Sequence, residues 1–262
     1  MCSVRWNMEH WLIPTLIGIT VSTILSASAA VSFSENFAGG TLNSALQAPS
    51  PNYYSFNGPA TIAEASDRSY IATTATDFLA ADFTATLTYT IASGNDSMFV
   101  GIGNGTPAGG FYGEPDKAIY LRACPPNFGS GQVHVTINNG AGSVNEGATL
   151  VNLLSGATSR VQITKTGDSL TFALDYNSSS GTFVADYSQT FSLASSVGFL
   201  DNSDSRFFFG TQAGVTFNAL DVNITPVPEI NPLVPASLML VGAVTWQRRR
   251  TGRLNTDAAE PK

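Results

Sequence analysis

Apolar and polar residues alternate one by one over ten residues near the middle of this chain. In "DFTATLTYTI", Asp82 to Ile91, the odd-numbered positions carry Phe, Ala, Leu, Tyr and Ile, whereas the even-numbered positions after Asp82 carry only threonine. Successive side chains of a β-strand point to opposite faces, so this period of two predicts a strand with one buried face. Such a strand is not stable alone, and the chain must supply further strands that cover its apolar side.

The same alternation recurs between residues 31 and 225. "QVHVTI" places Val133, Val135 and Ile137 on one face, and "RVQITKTGDSLTFALDY" predicts a hairpin whose turn is Thr166-Gly167-Asp168. Further strands are predicted at Ser69 to Thr74, Met98 to Ile102, Ala118 to Arg122, Gly181 to Tyr187, Arg206 to Thr211 and Val215 to Ile224. About ten short strands, each half apolar, need two facing sheets, so the predicted fold class is an all-β, two-sheet antiparallel sandwich.

The order of these pieces resembles the concanavalin A-like lectin/glucanase superfamily, and within it the laminin-G-like jelly rolls. The resemblance covers most of Val31 to Thr225. It rests on a first strand ending "FSENFAGG", on "YIATTATDFLAADFTATLTYTI", on the hairpin "RVQITKTGDSLTFALDYNSSSGTFVADY", and on a last strand "GVTFNALDVNI". The resemblance implies a jelly roll whose first and last strands pair. Members bind carbohydrate, bind proteins or hydrolyse glycans, so the fold alone does not choose among these functions.

The N-terminal residues are typical of a secretory signal peptide. Arg5 precedes an apolar stretch, Leu12 to Leu25, and "SASAA" supplies the small residues that a signal peptidase accepts. We expect cleavage after Ala30, and cleavage after Ala29 fits nearly as well. An uncleaved membrane anchor is the alternative, although the apolar stretch is short for a span of about twenty residues.

Residues 226–262 have the composition of a membrane-sorting tail. Ile230 to Trp246 is almost entirely apolar, and as a helix it would span about 26 Å, just short of a hydrocarbon core of ~30 Å. The residues that follow, Arg248, Arg249 and Arg250, would stay on the cytoplasmic side.

A short motif before this helix, Val227-Pro228-Glu229, completes a resemblance to the PEP-CTERM sorting signal, which an exosortase processes in Gram-negative bacteria. The resemblance implies an inner-membrane intermediate that is then released to the cell surface or extracellular matrix. Two features depart from the pattern: Ile230 stands where proline usually follows the motif, and Thr251 to Lys262 is a longer extension than usual. A plain C-terminal anchor that is never cut is the alternative.

Between the two terminal segments, Val31 to Thr225 forms one predicted β-sandwich domain of 195 residues. It holds six basic residues against fifteen acidic ones, a net charge of −9, which repels phosphate backbones and argues against a nucleic-acid partner. Its one cysteine, Cys124, has no partner for an internal disulfide. A catalytic cysteine would need a nearby histidine, and the domain has only His134, so an incidental thiol is favoured.

The domain lacks the full catalytic motif of the retaining glucanases in this superfamily, Glu-x-Asp-x-x-Glu. In that motif the strand alternation places the nucleophile and the acid/base on one face. "EPDKAI" matches it at Glu114 and Asp116, but Ile119 stands where the second Glu should be. Pro115 is also poor inside a central strand, because it cannot donate to the ladder. No catalytic residue is therefore predicted, and we expect a protein that is not an enzyme.

The segment "GFYGEPDKAIYLRACPPNF" offers candidate residues for carbohydrate binding, which needs exposed rings beside fixed polar groups. The candidates are Tyr112, Glu114, Asp116, Tyr120 and Arg122. On a strand from Ala118 to Arg122, Tyr120 and Arg122 share the face of Ala118. In the alternative interpretation, Tyr120 is a core residue and Arg122 pairs with a surface acid.

Metal binding has little support in the sequence. "DNSDS", Asp201 to Ser205, is an oxygen-rich loop of the kind that could hold Ca²⁺, but it lacks the EF-hand spacing, and Asp, Asn and Ser are ordinary turn formers. Histidine and cysteine are too few for a zinc site. No metal or cofactor is predicted.

Together these features predict an exported, non-catalytic β-sandwich protein of the cell surface or extracellular matrix that binds glycan or matrix, with extracellular polysaccharide as a candidate partner. Two alternatives stay open. One is a polysaccharide-active relative of the glycoside hydrolases, and the other is a purely structural surface protein.

Overall fold

The computed structural model describes residues 30–48, 54–55, 60–62, 69–91, 97–104, 115–124, 131–178, 181–211 and 215–225. Within these ranges the chain forms fifteen strands: β1 (Phe33–Glu35), β2 (Leu46–Gln47), β3 (Tyr54–Ser55), β4 (Ala60–Ile62), β5 (Ser69–Thr73), β6 (Asp82–Ile91), β7 (Met98–Asn104), β8 (Lys117–Ala123), β9 (Gln132–Asn139), β10 (Ser143–Leu150), β11 (Thr158–Thr166), β12 (Ser169–Asp175), β13 (Tyr187–Ser192), β14 (Ser205–Thr211) and β15 (Val215–Thr225).

The strands form two antiparallel sheets that share one apolar core. The eight-stranded sheet has the order β13-β12-β11-β6-β15-β4-β3, with β1 also paired to β15, and the seven-stranded sheet has the order β10-β9-β8-β7-β14-β5-β2. This arrangement confirms the predicted all-β sandwich. The first and last strands pair, with Phe33 opposite Val222, as the resemblance to jelly rolls implies.

Strand β6 shows how the alternating sequence builds this core. The odd-numbered residues of β6 are buried, and the threonines between them are half-buried on the opposite face. The threonine hydroxyls bond to neighbouring strands on that face: Thr90 Oγ1 lies 2.9 Å from Thr158 Oγ1, and Gln162 Nε2 donates to Thr86 Oγ1 at 3.3 Å. The strand therefore satisfies its polar face locally while its apolar face packs against the other sheet.

Aromatic rings join the two sheets at the centre of the core. Phe209 of β14 meets Phe217 of β15 edge-on, with ring centroids 4.8 Å apart. Phe37 contacts the same Phe209 ring at 6.1 Å, and all three rings are fully buried. Edge-to-face ring pairs contribute about 0.5–1.5 kcal/mol beyond the area that they bury.

The hairpin of β11 and β12 turns at Gly167, as predicted. Gly167 has φ +56°, a conformation that favours glycine. The Asp82 carboxylate accepts hydrogen bonds from Gly167 N at 2.9 Å and from Lys165 Nζ at 3.0 Å. These bonds, the one from Lys165 first, lower the pKa of Asp82 and tie the turn to the start of β6.

The predicted strand from Gly181 to Tyr187 is wrong, because β13 begins only at Tyr187. The residues before it form no strand, Gly181 has φ +84°, and the Val184 side chain is 65% exposed.

The buried ion pair of Arg160 and Asp175 explains this difference. Arg160 donates to the carbonyl oxygens of Gly181 and Thr182 at 2.9 and 3.2 Å. The Val184 N–H donates to the Asp175 carboxylate at 3.2 Å. The side chains of the ion pair therefore form hydrogen bonds with the backbone of residues 181–184, in place of the bonds that a neighbouring strand would provide.

Strand β10 was not predicted, because its sequence "SVNEGATL" shows no alternation. All eight residues are exposed, since β10 is an edge strand of the seven-stranded sheet. Its pairing with β9 is interrupted by a bulge between Glu146 and Thr149. A Cβ on Gly147 in this bulge would lie 2.8 Å from Gln189 Oε1 of β13, so the edges of the two sheets approach each other here.

Helical structure in the described ranges consists of a 3₁₀ turn, Phe78–Ala80, and the short helix α1, Leu193–Ser196. No helix of these ranges is long and apolar enough to cross a bilayer. The predicted signal peptide up to Ala29, the sorting motif Val227-Pro228-Glu229, the apolar run after it and the three arginines lie outside the described residues.

Candidate functional site

The seven-stranded sheet is buried on both faces at its centre. Its inner face contributes residues such as Val100, Leu121, Val135 and Phe209 to the core between the sheets. Its outer face carries a second apolar cluster, made of Tyr70, Ala72, Phe99, Ala118, Tyr120 and Phe208. A sheet with one solvated face would show polar residues there, so this part of the outer face is itself buried, and the candidate site is the polar part of the same face.

Cross-strand pairing arranges the outer face in transverse rows. One row follows the pairs Ala72–Phe208, Phe208–Gly101, Gly101–Tyr120, Tyr120–Thr136 and Thr136–Asn145. The adjacent row follows Tyr70–Gly210, Gly210–Phe99, Phe99–Arg122 and Arg122–His134. In both rows the positions on β5, β14 and β7 are aromatic residues, alanine or glycine, whereas the position on β9, and that on β10 in the first row, is polar. On β8 the first row has Tyr120 and the second has Arg122.

Gly101 allows the aromatic part of the outer face to pack closely. A Cβ on Gly101 would lie 2.4 Å from Tyr120 Cβ and 2.2 Å from Ile119 O, so a side chain would push the strands apart. Tyr120 and Phe208, the cross-strand neighbours of Gly101, meet edge-on with centroids 6.1 Å apart, and the Phe99 ring lies 6.2 Å from Tyr120. The rings form a packed cluster rather than an open platform.

The polar part of the outer face combines Arg122, His134, Thr136 and Asn145. Thr136 Oγ1 donates to Asn145 Oδ1 at 2.9 Å. His134 is 6% exposed, and its Nε2 atom has no hydrogen-bond partner among the described residues. Burial, and secondarily the charge of Arg122, lower the pKa of His134, so its imidazole is neutral at neutral pH.

The predicted ligand-binding residues separate into three groups. Tyr112 and Glu114 lie outside the described residues, and Asp116 is exposed in the bend before β8. Tyr120 and Arg122 share the outer face with Ala118, in the arrangement expected for a strand. The Tyr120 ring is only 5% exposed and packs against other rings, whereas carbohydrate stacking would need an open ring.

Sequence reasoning missed His134, Thr136 and Asn145 as members of this site. The alternation in "QVHVTI" places His134 and Thr136 opposite the core face, but it does not distinguish a site from the ordinary polar side of a strand. Asn145 lies on β10, which no pattern predicted.

The partial glucanase motif does not lie within one strand. Strand β8 begins at Lys117, after the positions of Glu114 and Asp116. Ile119, at the position of the missing second Glu, is fully buried and belongs to the core between the sheets.

The loop Asp201 to Ser205 forms the turn that its composition favours. The Asp201 carboxylate accepts hydrogen bonds from Ser203 N at 2.8 Å and from Ser203 Oγ at 2.7 Å. These bonds, from the backbone first, lower the pKa of Asp201. Asp201 therefore supports its own turn.

Cys124 is a buried free thiol at the end of β8. Burial raises the pKa of Cys124, and the nearby Arg122 lowers it by a smaller amount. A protonated, buried thiol is a poor nucleophile, as expected for an incidental cysteine.

A groove of about 690 Å³ lies at one end of the sandwich, between the β11–β12 turn and helix α1. Its charged groups bond within the protein. Lys165 pairs with Asp82, while the Asp168 carboxylate accepts hydrogen bonds from Ser192 Oγ and from Ala194 N at 2.5 and 2.9 Å. The groove is therefore built by contacts that fix the hairpin to α1, and the outer face remains the stronger candidate site.

Comparison by sequence finds no matching protein-family model and no matching curated protein. Solved structures match by shape. Lectin II from Ulex europaeus is 15% identical with a TM-score of 0.52, over 75% of this chain and 99% of the lectin. A β-glucanase from Bacillus licheniformis is 12% identical with a TM-score of 0.50, over 76% of this chain and 100% of the glucanase.

A third structure, the Bacteroides ovatus xyloglucan PUL GH43B, is 15% identical with a TM-score of 0.52. The match covers 82% of this chain but only 42% of that protein, so this chain spans less than half of its length. At these identities the likeness concerns the fold alone: the chain has a two-sheet β-sandwich fold similar to that of the lectin and the β-glucanase.

Proposed function

We propose that this protein is exported and binds glycan, without catalysis, through the outer face of its seven-stranded sheet. The observation that carries the proposal is the polar end of that face, where Arg122, His134, Thr136 and Asn145 stand on adjacent strands. Guanidinium, imidazole, hydroxyl and amide groups are of the types that hydrogen-bond to sugar hydroxyls, and the Asn145 side chain is exposed on the edge strand. The fold shared with a lectin and a glucanase supports this choice by analogy.

Binding is favoured over hydrolysis by the position of Ile119. Retaining hydrolysis needs two carboxylates about 5 Å apart on one face. Ile119 points into the core between the sheets, so a carboxylate there would not reach the outer face. The fold shared with a β-glucanase keeps a polysaccharide-active relative as the second candidate.

Asn145→Ala is expected to weaken glycan binding by about twofold to tenfold, the cost of one or two neutral hydrogen bonds. Asn145 is partnered by Thr136 across β9 and β10, and it lies on the edge strand, where its removal costs little stability. The measurement is a glycan array with the purified protein, followed by titration of the glycans that bind.

Thr171→Ala is the matched control, because Thr171 forms a similar cross-strand pair with Thr190 on the eight-stranded sheet. If Asn145→Ala and Thr171→Ala weakened glycan binding equally, the outer face of the seven-stranded sheet would not be the binding site. If the protein bound no glycan, the proposed function would be wrong. If the protein released reducing sugars from the same glycans, it would be a hydrolase and not the non-catalytic binder proposed here.

The start of the domain supports export with cleavage after Ala29, the second of the two sites that the sequence allowed. Ala30 packs against the core, and its backbone N donates to Asp77 Oδ1 at 2.9 Å. Cleavage after Ala29 would follow the sequence Ala-Ser-Ala and would turn this nitrogen into an ammonium beside the Asp77 carboxylate. Cleavage after Ala30 would remove that contact.

The exported protein is therefore expected to begin at Ala30, and N-terminal sequencing can test this. Asp77→Asn should lower its free energy of unfolding by about 1–2 kcal/mol, because the ammonium loses a charged acceptor. Asp116→Asn, which alters an exposed carboxylate, is the control and should have little effect. A chain that begins at Val31 would refute the anchoring role of Asp77, and one that retains Met1 would refute cleavage.

Sorting and processing through the C-terminal segment are part of the same proposal. Residues 227–250 carry the predicted sorting motif, apolar run and arginines, and an exosortase is the processing partner that this pattern implies. Release to the cell surface or matrix would bring the glycan-binding face to extracellular polysaccharide.

A further inference from the structure

The groove between the β11–β12 turn and helix α1 is open to a ligand. Its volume of about 690 Å³ lies within the range of ~300–1,000 Å³ that is typical of small-molecule sites. Exposed residues form much of its lining, among them Ala80, Gly167, Asp168, Ala194 and Asn202. A ligand in the groove therefore reaches these groups directly from solvent, without any opening of a buried face.

Two carboxylates in this lining are held in place by the protein's own hydrogen bonds. Asp168 accepts one bond at each oxygen, from Ser192 Oγ and from Ala194 N. Asp201 accepts both bonds from Ser203 at Oδ1, so its Oδ2 atom has no hydrogen-bond partner among the described residues. A carboxylate has about four lone-pair positions, so both side chains can accept further bonds from a ligand. Because they are already ordered, a ligand does not have to fix them.

Asn202 adds a group that can both donate and accept. Its side chain is exposed and forms no hydrogen bond with another described residue, since the bond from Ser205 Oγ goes to the Asn202 backbone carbonyl. A side-chain amide offers two N–H donors and a carbonyl acceptor. Asn202 follows Asp201 directly, so a free amide and a fixed carboxylate line the same part of the groove.

The remainder of the lining is mainly apolar. Leu79, Val197 and Leu200 line the groove and belong to the core between the sheets. Ala80 and Ala194 extend this apolar surface to exposed positions. Apolar surface beside a few fixed polar groups suits a sugar ring, which has C–H groups on its faces and hydroxyl groups around its edge.

The charge of the groove disfavours acidic ligands. The bond from Ser192 is the main cause that lowers the pKa of Asp168, and the bonds within its own turn, from the backbone first, lower the pKa of Asp201. Both carboxylates are therefore ionised at neutral pH. Lys165 is the basic residue of this lining, and its ammonium group pairs with Asp82 at 3.0 Å. The groove thus offers negative acceptors, which repel a carboxylate or a sulfate and attract hydroxyl donors.

We infer that this groove is a second binding site, which takes an uncharged sugar unit of a glycan. Hydroxyl groups of the sugar donate to Asp168 and Asp201, the Asn202 amide bonds to a further hydroxyl, and a sugar face packs on Ala80 and Ala194. The inference rests on the proposed glycan-binding function for its class of ligand. It does not depend on the outer face, with which the groove shares no lining residue.

The test titrates the purified protein with neutral oligosaccharides and with polyuronates of similar length, and follows the backbone amide signals by NMR. Neutral oligosaccharides should shift the amide signals of Gly167, Ala194 and Gly198, which line the groove. Polyuronates should bind there at least about tenfold more weakly, because their carboxylates meet charged acceptors. The amide signals of Thr136 and Asn145 report separately on the outer face.

Variants then locate the ligand. Ala194→Trp fills the groove without removing a hydrogen-bonding side chain and should weaken binding in the groove by about tenfold or more. Ser195→Trp is the matched control: it adds the same bulk at the next exposed residue of α1, which does not line the groove, and should change the affinity less than about twofold. Asn202→Ala should weaken binding by about twofold to tenfold. Thermal unfolding of each variant checks that the fold is kept.

Three results would overturn the inference and leave the proposed function standing: neutral oligosaccharides that shift only the amide signals of the outer face, polyuronates that bind in the groove as tightly as neutral oligosaccharides, or Ala194→Trp that binds there as the wild type does. Shifts confined to the groove would support the inference and contradict the assignment of the outer face. Failure to bind any glycan would overturn both.

Discussion

Phe209→Ala is expected to lower the free energy of unfolding by about 3–5 kcal/mol, the range for truncating a buried phenylalanine. The Phe209 ring is fully buried and contacts rings from both sheets, those of Phe37, Phe207 and Phe217. Its removal leaves a cavity in the centre of the sandwich, because strands that are paired on both sides cannot collapse to fill it. Urea denaturation, monitored by far-UV circular dichroism, measures the change in the free energy of unfolding.

Val144→Ala is the matched control for this prediction. Val144 lies on the edge strand β10 and is 58% exposed, so its truncation should cost no more than about 0.5 kcal/mol. A loss below about 1 kcal/mol for Phe209→Ala would mean that this ring cluster does not hold the two sheets together.

The sequence predicted the fold well wherever a strand has one buried and one solvated face. In β6 and β11, burial alternates residue by residue, so the apolar pattern follows the core directly. In β7 and β14 nearly every residue is buried, so the sequence indicates a strand without saying which face is the inner one. Strand β10 is exposed on both faces and therefore has no pattern to detect.

The candidate site was predictable only in part, for a related reason. Alternation within β8 placed Tyr120 and Arg122 on one face, and the structure agrees. Which residues of other strands join them depends on the cross-strand register, and no local pattern contains that register. His134 and Asn145 therefore enter the site only once β9 is aligned with β8 and β10.

Asp175→Ala is expected to cost about 3–5 kcal/mol, because it leaves the buried Arg160 guanidinium without its counterion. The side chains of Arg160 and Asp175 are only 12% and 5% exposed. The substitution also removes the acceptor of the Val184 N–H, so the segment before β13 should loosen. Urea denaturation measures the loss, and hydrogen exchange at Val184 reports the local opening.

Asp186→Ala is the control for the same part of the chain. Asp186 also accepts a hydrogen bond from a backbone N–H, that of Tyr176 at 3.0 Å, but its side chain is exposed and it belongs to no buried ion pair in the described ranges. Its removal should cost about 1 kcal/mol or less.

The double variant Arg160→Met with Asp175→Leu should recover much of the stability lost in Asp175→Ala, because apolar side chains of similar volume need no counterion. Equal costs for Asp175→Ala and Asp186→Ala would show that the ion pair does not organise this segment, and the irregular backbone before β13 would then need another cause.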